Sequence, residues 1–251
     1  MTLPLPCNPE VDTFFDIALI VPAYNPQPGW SRLLGTQFQI LKKQLPLQNI
    51  TVILVNDGST TPHFSAEIKE AQDVIKDLQV ITHAVNRGKG AALRSGMQAA
   101  TAGYYIITDI DFPYTTESML AILDALMHNR ADVAVGNRDH SYYTRIPGFR
   151  ARLSKLLRYV IRKRLRLPVD DSQCGLKGMN EKGKQLFLQI KIRRYLFDLE
   201  FLVKVAATHH LRMLPVPVAL RDGVVMRRMS PRILFQEAGN FLRIFLFRHR
   251  L

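Results

Sequence analysis

Four apolar runs separated by helix-like segments constrain the fold of this chain more than any other feature of its sequence. The runs lie at residues 17–21, 50–55, 79–82 and 104–108. The first of them contains no polar residue, which is typical of a strand buried on both faces of a parallel sheet. Helix-like segments lie between them at about 30–44, 63–77 and 91–100. This alternation predicts an α/β fold with a mostly parallel central sheet and peripheral amphipathic helices.

The chain length of 251 residues is sufficient for one α/β domain with a large core or for two smaller domains. The regular alternation of strands and helices favours one domain, which we place at residues 16–230. Residues 1–15 are a lead-in interrupted by prolines. Residues 231–251 predict a C-terminal amphipathic helix, because large apolar side chains recur along it and arginines lie toward its end.

Polar residues follow several of the predicted strands. Asp57 comes after the second strand, residues 86–90 after the third, and Asp109 and Asp111 at the end of the fourth. Ligands bind open parallel sheets outside the carboxyl ends of the strands, so we expect these loops to form one site. Asp57 could accept hydrogen bonds from a base or a ribose hydroxyl, although Asn-Asp-Gly is also a common turn sequence.

Asp109 and Asp111 are separated by a single residue. Along an extended chain both side chains would point to the same face, forming a close pair of carboxylates. Such a pair needs a proton or a cation to offset its repulsion, and Mg²⁺ typically takes one or two carboxylates plus substrate phosphates. The same residues also fit a turn with solvated aspartates, so the pair alone leaves both interpretations open.

The sequence Asn-Arg-Gly-Lys-Gly at 86–90 places Arg87 and Lys89 beside glycines, just before a predicted helix. Glycine permits close backbone approach, and a helix N-terminus favours phosphate. The spacing of a P-loop is missing, and the first strand does not lead into a dinucleotide-binding glycine motif. These loops together offer a hydrogen-bond acceptor for a base or ribose, a loop that attracts phosphate, and a pair of carboxylates. Such a set suits a nucleoside diphosphate.

The segments at 21–25, 55–59, 86–90 and 109–111 resemble, in order and spacing, the motifs of inverting family 2 glycosyltransferases. The resemblance implies a single Rossmann-like GT-A domain and a nucleotide-sugar donor (UDP- or GDP-hexose) held with Mg²⁺ or Mn²⁺. The segments at 171–177 and 197–202 are similar to the dolichyl-phosphate β-glucosyltransferase branch and to polyprenyl-phosphate hexose synthases. Those relatives move one sugar onto a lipid phosphate.

The resemblance also implies which residues bind the donor. Under it, the nucleotide-sugar pocket contains Pro22, Ala23, Tyr24, Asp57, Arg87, Lys89 and Asp109. Asp109 and Asp111 would hold the metal ion, with Asp111 as the firmer ligand. Two positions depart from the pattern of the family. Pro26-Gln27 stands where an acidic residue often follows Tyr-Asn, and Phe112 lies near a position that is polar in some relatives.

On the acceptor side, the resemblance implies that Arg138 faces the acceptor phosphate. Arg150 and Arg152 could assist it, and Gln173 and Lys177 would shape the sugar and acceptor side of the site. A lipid phosphate is already ionised at neutral pH, so it needs cations more than it needs a base.

Asp198 is the candidate base if the acceptor is a hydroxyl. Alternatively, it is a residue at a helix N-terminus that interacts with the helix dipole. Together with Asp111 at the metal and Arg138 at the acceptor phosphate, Asp198 completes the set of predicted catalytic residues.

The chain has 34 Lys and Arg against 21 Asp and Glu, a net charge of +13, which implies an anionic partner. Residues 150–164 predict a helix with one apolar face and a crowd of basic residues elsewhere. Such a helix can lie on an anionic membrane, or it can pack on the sheet with a solvated cationic face. Aromatic residues are not interleaved as in RNA-binding segments, so we do not expect a nucleic-acid partner.

The N-terminal residues lack the basic and apolar regions of a secretory signal, and no run of 18 apolar residues occurs. Cys7 and Cys174 are far apart and lack metal-type spacing, which favours a reducing compartment. We expect a cytoplasmic protein attached peripherally to the inner face of the membrane.

These observations predict a metal-dependent enzyme that moves a hexose from a nucleotide sugar to a polyprenyl, dolichyl-type phosphate. The alternative within the family is a transferase that extends a glycan or another hydroxyl acceptor. A basic membrane or nucleic-acid binder without enzymatic activity would also explain the charge, but it would need no carboxylate pair for a metal.

Overall fold

The computed structural model of the protein describes residues 16–138, 167, 169, 171–224 and 239. In this part of the chain one sheet contains strands β1 Asp16–Ala23, β2 Asn49–Asn56, β3 Gln79–Thr82, β4 Tyr104–Ile107, β5 Val133–Arg138, β6 Lys177–Asn180 and β7 Met213–Val218. The helices are α1 Trp30–Gln44, α2 Phe64–Val74, α3 Lys89–Ala99, α4 Thr116–Met127, α5 Glu181–Phe187 and α6 Phe197–Ala207.

The strand order across the sheet is β3-β2-β1-β4-β6-β5-β7. Strands β3, β2, β1 and β4 pair in parallel, and β5 pairs in parallel with β7. Strand β6 lies antiparallel between β4 and β5. The prediction of an α/β fold with a mostly parallel sheet is therefore confirmed.

Helices cover both faces of the sheet, and β1 shows why its sequence is apolar throughout. Ile17, Leu19 and Val21 point into one core, which includes side chains of α1, α2 and α4. Ala18 and Ile20 point into the other core, which includes side chains of α3, α5 and α6. Every position in this run is buried, so a polar residue at any of them would enter one core or the other.

Most of the predicted elements lie close to their expected positions. The helix at 30–44 and the strand at 79–82 have the predicted bounds, and β1 and β2 extend beyond theirs by at most two residues. Helix α2 is shorter than the predicted segment, beginning at Phe64 and ending at Val74.

The expectation that Asp109 and Asp111 lie on an extended chain is wrong. Strand β4 ends at Ile107, and residues 110–111 form a turn. The main-chain N–H of Phe112 donates to the carbonyl of Asp109 at 3.0 Å, and Phe112 has a φ of 41°. The chain folds back here, with Phe112 buried in the core, Asp109 half-buried and Asp111 exposed.

Several predicted features lie outside the described residues. They are the lead-in at 1–15, the basic helix at 150–164 with Arg150 and Arg152, and almost all of the C-terminal helix at 231–251. Among the residues that are described, none of the helices is both long and apolar enough to cross a membrane.

Helix α3 packs closely on the sheet at Gly96. A Cβ atom added there would lie 2.6 Å from Cγ2 of Ile20 and 3.1 Å from Cγ2 of Val55. Both are short, β-branched side chains of buried strands, which have little freedom to move away. A side chain at position 96 would therefore separate α3 from β1 and β2.

We expect Gly96→Val to lower the free energy of unfolding by about 1–3 kcal/mol, because the added methyls overpack the core. The higher helix propensity of valine acts in the opposite direction and does not compensate. Urea unfolding would measure the change. Gln98→Val, on the exposed side of the same helix, is the control and should stay within about 0.5 kcal/mol of wild type. Equal stabilities of the two variants would contradict this packing.

Candidate active site

A cavity of about 520 Å³ opens at the edge of the sheet where β1, β2 and β4 end. Its wall includes predicted donor-site residues from four segments of the chain, namely Pro22, Ala23, Tyr24, Asp57, Lys89, Asp109 and Asp111. Arg87 belongs to the same loop as Lys89 but is not part of this wall. The structure thus brings the acidic residues and one of the two loop cations to a single cavity.

Asp57 is almost completely buried at the base of this cavity. Its carboxylate accepts the main-chain N–H of Arg87 at 2.9 Å and that of Gly88 at 2.8 Å. Asp57 therefore fixes the course of the 86–90 loop, in addition to facing the cavity. A ligand group that contacts this carboxylate therefore also lies close to the 86–90 loop, which the carboxylate holds in place.

His83 is a neighbour of Asp57 that the sequence analysis did not identify. Its Nδ1 lies 2.8 Å from Oδ1 of Asp57, and its Nε2 lies 3.0 Å from Oγ of Ser95 on α3. The imidazole is buried, and it links the carboxylate to the helix that follows the loop. A lone histidine after a predicted strand gives no sequence signal for this bridge.

The glycines of the 86–90 loop are required by packing within the protein itself. Gly88 has a φ of 98°, and a Cβ there would lie 2.5 Å from the carbonyl oxygen of Arg193. A Cβ on Gly90 would lie 2.6 Å from the Cβ of Phe197. The segment before α6 therefore lies directly against this loop, and it contributes Arg194 and Tyr195 to the cavity wall.

Two buried glutamates hold the neighbouring loops. Glu200 of α6 accepts the main-chain N–H groups of Lys191, at 2.9 and 3.0 Å, and of Ile192, at 2.7 Å. Glu67 of α2 accepts those of Gly29, at 3.0 Å, and of Ser31, at 3.2 Å, where α1 begins. Each carboxylate thus binds main chain of a segment that borders the cavity.

Lys89 and Asp109 form an ion pair inside the cavity, with 2.5 Å between Nζ and Oδ1. Both side chains are roughly one-third exposed, at 28% and 31%. Burial lowers the pKa of Lys89, but the surrounding carboxylates, Asp109 foremost and then Asp198, outweigh it and raise the pKa. The ammonium therefore stays charged and offsets the charge of Asp109.

The two aspartates fit a divalent cation as a partial set of ligands. Their carboxylate oxygens are the hard donors that Mg²⁺ or Mn²⁺ takes, and Asp111 is exposed at the cavity wall. Within the described residues no group of three or more His, Cys, Asp or Glu is placed to hold a metal. A cation here would therefore need further oxygens, such as those of a diphosphate or of water.

The 171–177 segment approaches the acidic pair from the other side. A Cβ on Gly175 would lie 2.3 Å from Oδ2 of Asp109, so a larger residue at this position would displace the carboxylate. The main-chain N–H of Gly175 donates to the hydroxyl of Tyr114 at 3.3 Å. The contact between Gly175 and Asp109 brings the second half of the chain against one of the two predicted metal ligands.

Lys177 and Asp198 form a buried ion pair behind the cavity wall, with 2.6 Å between Nζ and Oδ1. Lys177 also donates to the carbonyl of Cys174. Burial raises the pKa of Asp198, although the Lys177 ammonium acts in the opposite direction. The residue predicted on the sugar side and the predicted base are thus direct partners, and neither is part of the cavity wall.

Arg138, the predicted acceptor-phosphate residue, pairs with Asp171 through two hydrogen bonds, of which the one from Nη2 to Oδ1 measures 2.7 Å. Burial lowers the pKa of Arg138, but the Asp171 carboxylate outweighs it and raises the pKa further. Neither Arg138 nor the exposed Gln173 belongs to the cavity wall. The structure brings Arg138 to Asp171, at the start of the segment that leads to Gly175.

The Lys177–Asp198 pair allows a test of what a buried charge costs. We expect Lys177→Met to lower the free energy of unfolding by about 3–5 kcal/mol at pH 8, since it leaves a buried carboxylate without its cation. A carboxyl group whose folded pKa is raised stabilises the fold when it is protonated. The deficit should therefore shrink as the pH falls through the raised pKa of Asp198.

Urea unfolding at several pH values would measure this deficit. The double variant Lys177→Met/Asp198→Leu is the matched control, and it should recover much of the loss because no charge remains. If Lys177→Met is as stable as wild type at pH 8, the ion pair does not contribute to the free energy of unfolding.

Comparisons with known proteins agree with this geometry. The sequence profile described as Glycosyl transferase family 2 matches residues 18–184. The chain is 29% identical over 203 residues to a dolichyl-phosphate beta-glucosyltransferase of Drosophila melanogaster, covering 74% of this chain and 61% of that protein. It is 28% identical over 200 residues to the protein of the same name from Homo sapiens, again covering 74% and 61%. The chain thus spans about three-fifths of these relatives, 61% in each case.

Solved structures share the fold at low sequence identity. Mannosyl-3-phosphoglycerate synthase from Rubrobacter xylanophilus superposes with a TM-score of 0.69 at 13% identity, covering 94% of this chain and 74% of that one. Glucosyl-3-phosphoglycerate synthase from Mycobacterium tuberculosis, in complex with Mn²⁺, UDP-glucose and glycerol 3-phosphate, gives 0.60 at 13% identity, covering 93% and 79%. With its sheet order and the profile match over residues 18–184, this chain belongs to glycosyl transferase family 2 and has the GT-A fold.

Proposed function

We propose that the protein is a metal-dependent inverting glycosyltransferase that moves a hexose from a nucleotide sugar to a polyprenyl phosphate. The observation that supports it most is the cavity where Asp57, Lys89, Asp109 and Asp111 meet at the carboxyl edge of the sheet. The cavity wall supplies a hydrogen-bond acceptor for a nucleoside at Asp57, and it supplies a cation at Lys89 with carboxylates at Asp109 and Asp111. A nucleoside diphosphate sugar needs both.

The donor would lie with its nucleoside toward Asp57 and Tyr24 and its diphosphate toward Lys89. Asp57 is held by His83 and by the loop N–H groups, so its carboxylate is fixed before a ligand arrives. Tyr24 is 52% exposed at the mouth, where its ring can cover a flat base. Gln27 and Trp30 complete this side of the wall.

In a single displacement, the acceptor oxygen attacks the anomeric carbon opposite the departing diphosphate, so the configuration inverts. Asp111 and Asp109 would hold the divalent ion, which when bound supplies Lewis-acid stabilisation of the leaving group. Lys89, which is paired with Asp109, adds a positive charge near the departing diphosphate, on which negative charge develops.

The names of the curated relatives support a lipid phosphate as acceptor. Arg138, with Arg150 and Arg152, would bind this phosphate, and Gln173 and Lys177 would shape the sugar and acceptor side. Because Arg138 is already bound to Asp171, an arriving phosphate would share its guanidinium with that carboxylate. The basic residues of the chain would hold the protein peripherally on an anionic membrane, which we place at the cytoplasmic face.

A second candidate is transfer to a hydroxyl of a glycan or another acceptor. Under it Asp198 would be the base, since burial raises its pKa and a hydroxyl needs a base while a phosphate does not, although Asp198 lies behind the cavity wall. Under this alternative Lys177 would hold the base in place.

A radiolabelled donor screen tests the reaction. We expect the full chain with Mn²⁺ or Mg²⁺ to transfer a hexose from one of several nucleotide sugars to polyprenyl phosphate in vesicles. Transfer to a free saccharide, and never to the lipid phosphate, would favour the second candidate. Failure to transfer from any donor to any acceptor would contradict the proposal.

Removing the exposed carboxylate tests the metal assignment. Asp111→Asn should lower kcat/KM by about 100-fold or more, since Lewis-acid stabilisation is worth several kcal/mol. Asp77→Asn, an exposed aspartate after α2, is the control and should leave the rate unchanged. Unchanged activity of the Asp111 variant would end the assignment of this residue.

Removing the hydrogen bonds of His83 tests separately whether Asp57 binds the nucleoside. His83→Leu should raise the dissociation constant for the nucleoside diphosphate about tenfold, because the loss of a hydrogen bond of about 1.4 kcal/mol leaves Asp57 less firmly held. Isothermal titration calorimetry would measure it. His128→Leu, which removes a histidine bound to Asp124 on α4, is the control. Equal affinity of the two variants would contradict this role of His83.

A further inference from the structure

The turn that presents Asp111 has an unfavourable backbone. Phe112 has a φ of 41°, in the left-handed region that bulky side chains rarely adopt, which costs of the order of 1–3 kcal/mol. Its ring is 1% exposed, so core packing fixes the side chain. Packing of Phe112 alone does not fix the carbonyls on either side of it, and these set the direction of the turn.

Arg221, which follows β7, binds three consecutive carbonyls of this turn. Its Nη2 donates to the carbonyl of Asp111 at 2.9 Å, and its Nε donates to that of Phe112. Its own main-chain N–H donates to the carbonyl of Pro113 at 2.9 Å. A planar guanidinium can donate to two adjacent acceptors at once, which an ammonium on a flexible chain does less well.

The position of Arg221 is itself fixed by pairing between the residues after β7 and the start of α4. Tyr114 and Leu220 form an antiparallel bridge. The main-chain N–H of Thr115 donates to the carbonyl of Ala219 at 3.1 Å, and that of Ala219 donates to Oγ of Ser118 at 2.9 Å. These bonds fix the main chain beside Arg221, so its guanidinium reaches the turn from a rigid segment.

We propose that Arg221 is a positioning residue for Asp111. It holds the carbonyls of residues 111 and 112, and so fixes the direction in which the Asp111 carboxylate enters the cavity. This inference rests on the proposed function in one respect, namely that the carboxylate is fixed for a divalent cation.

The chain offers a matched control at the opposite end of β7. Arg212, just before that strand, donates to the carbonyl of Asn129, another residue with positive φ, at 57°. It also binds Asp132, with 3.2 Å between Nε and Oδ2. Removing either arginine breaks side-chain bonds to a left-handed turn, but only Arg221 lies at the acidic turn.

The test compares Arg221→Met, Arg221→Lys and Arg212→Met. In the metal-free protein, hydrogen exchange of the amides at 109–115 should become about tenfold faster in Arg221→Met and stay unchanged in Arg212→Met. Mn²⁺ titration by electron paramagnetic resonance, with UDP present, should give a dissociation constant about tenfold higher for Arg221→Met. The lysine variant should lie between it and wild type in both measurements.

Unchanged exchange at 109–115 in Arg221→Met, or Mn²⁺ affinity equal to that of Arg212→Met, would overturn the inference. If the wild-type protein binds no Mn²⁺, the proposed metal dependence fails. The exchange measurement needs no metal, so it still decides whether Arg221 holds the turn. Thermal unfolding of each variant would show that the differences do not come from global loss of structure.

Discussion

Charged side chains that bind loop main chain hold the cavity in shape. Asp57, Glu67 and Glu200 each accept N–H groups of a bordering segment, and Arg221 donates to carbonyls of the acidic turn. Loops at a sheet edge have few main-chain partners of their own, so they depend on such bonds. In each case a charge is offset by oriented peptide dipoles, which makes the bond stronger than one between neutral groups. The walls are therefore set before any ligand binds.

The sequence predicted the features that depend on local pattern. Strand β1 was predictable because a strand covered on both faces must be apolar at every position. The meeting of Asp57, Lys89 and Asp109 was predictable because parallel strands end at one edge. The turn at Phe112 was not predictable, because besides its local hydrogen bond to Asp109 it is held by Arg221, which lies 109 residues away along the chain. The bridge by His83 likewise depends on partners 26 and 12 residues away.

Three of the cations predicted at the site, Lys89, Lys177 and Arg138, contact carboxylates. Lys89 contacts Asp109, Lys177 contacts Asp198, and Arg138 contacts Asp171. From the sequence we expected these cations to bind substrate. Their carboxylate partners lie far away along the chain, so the ion pairs could not be recognised from the sequence. An anionic ligand that contacts Lys89 would compete with Asp109, and a divalent cation could then take over that carboxylate.

The antiparallel strand β6 also bears on how the chain acquires its structure. Strands β1 to β4 come from the first 107 residues, and among the described strands the partner of β4 on its far side is β6, at Lys177–Asn180. During synthesis β4 therefore remains an open edge while some 70 further residues are made, a situation that invites pairing with other chains. The two halves of the sheet are joined by a late event, and the same event brings Gly175 against Asp109. Pairing of β6 with β4 and placement of Gly175 beside Asp109 therefore depend on the same part of the chain.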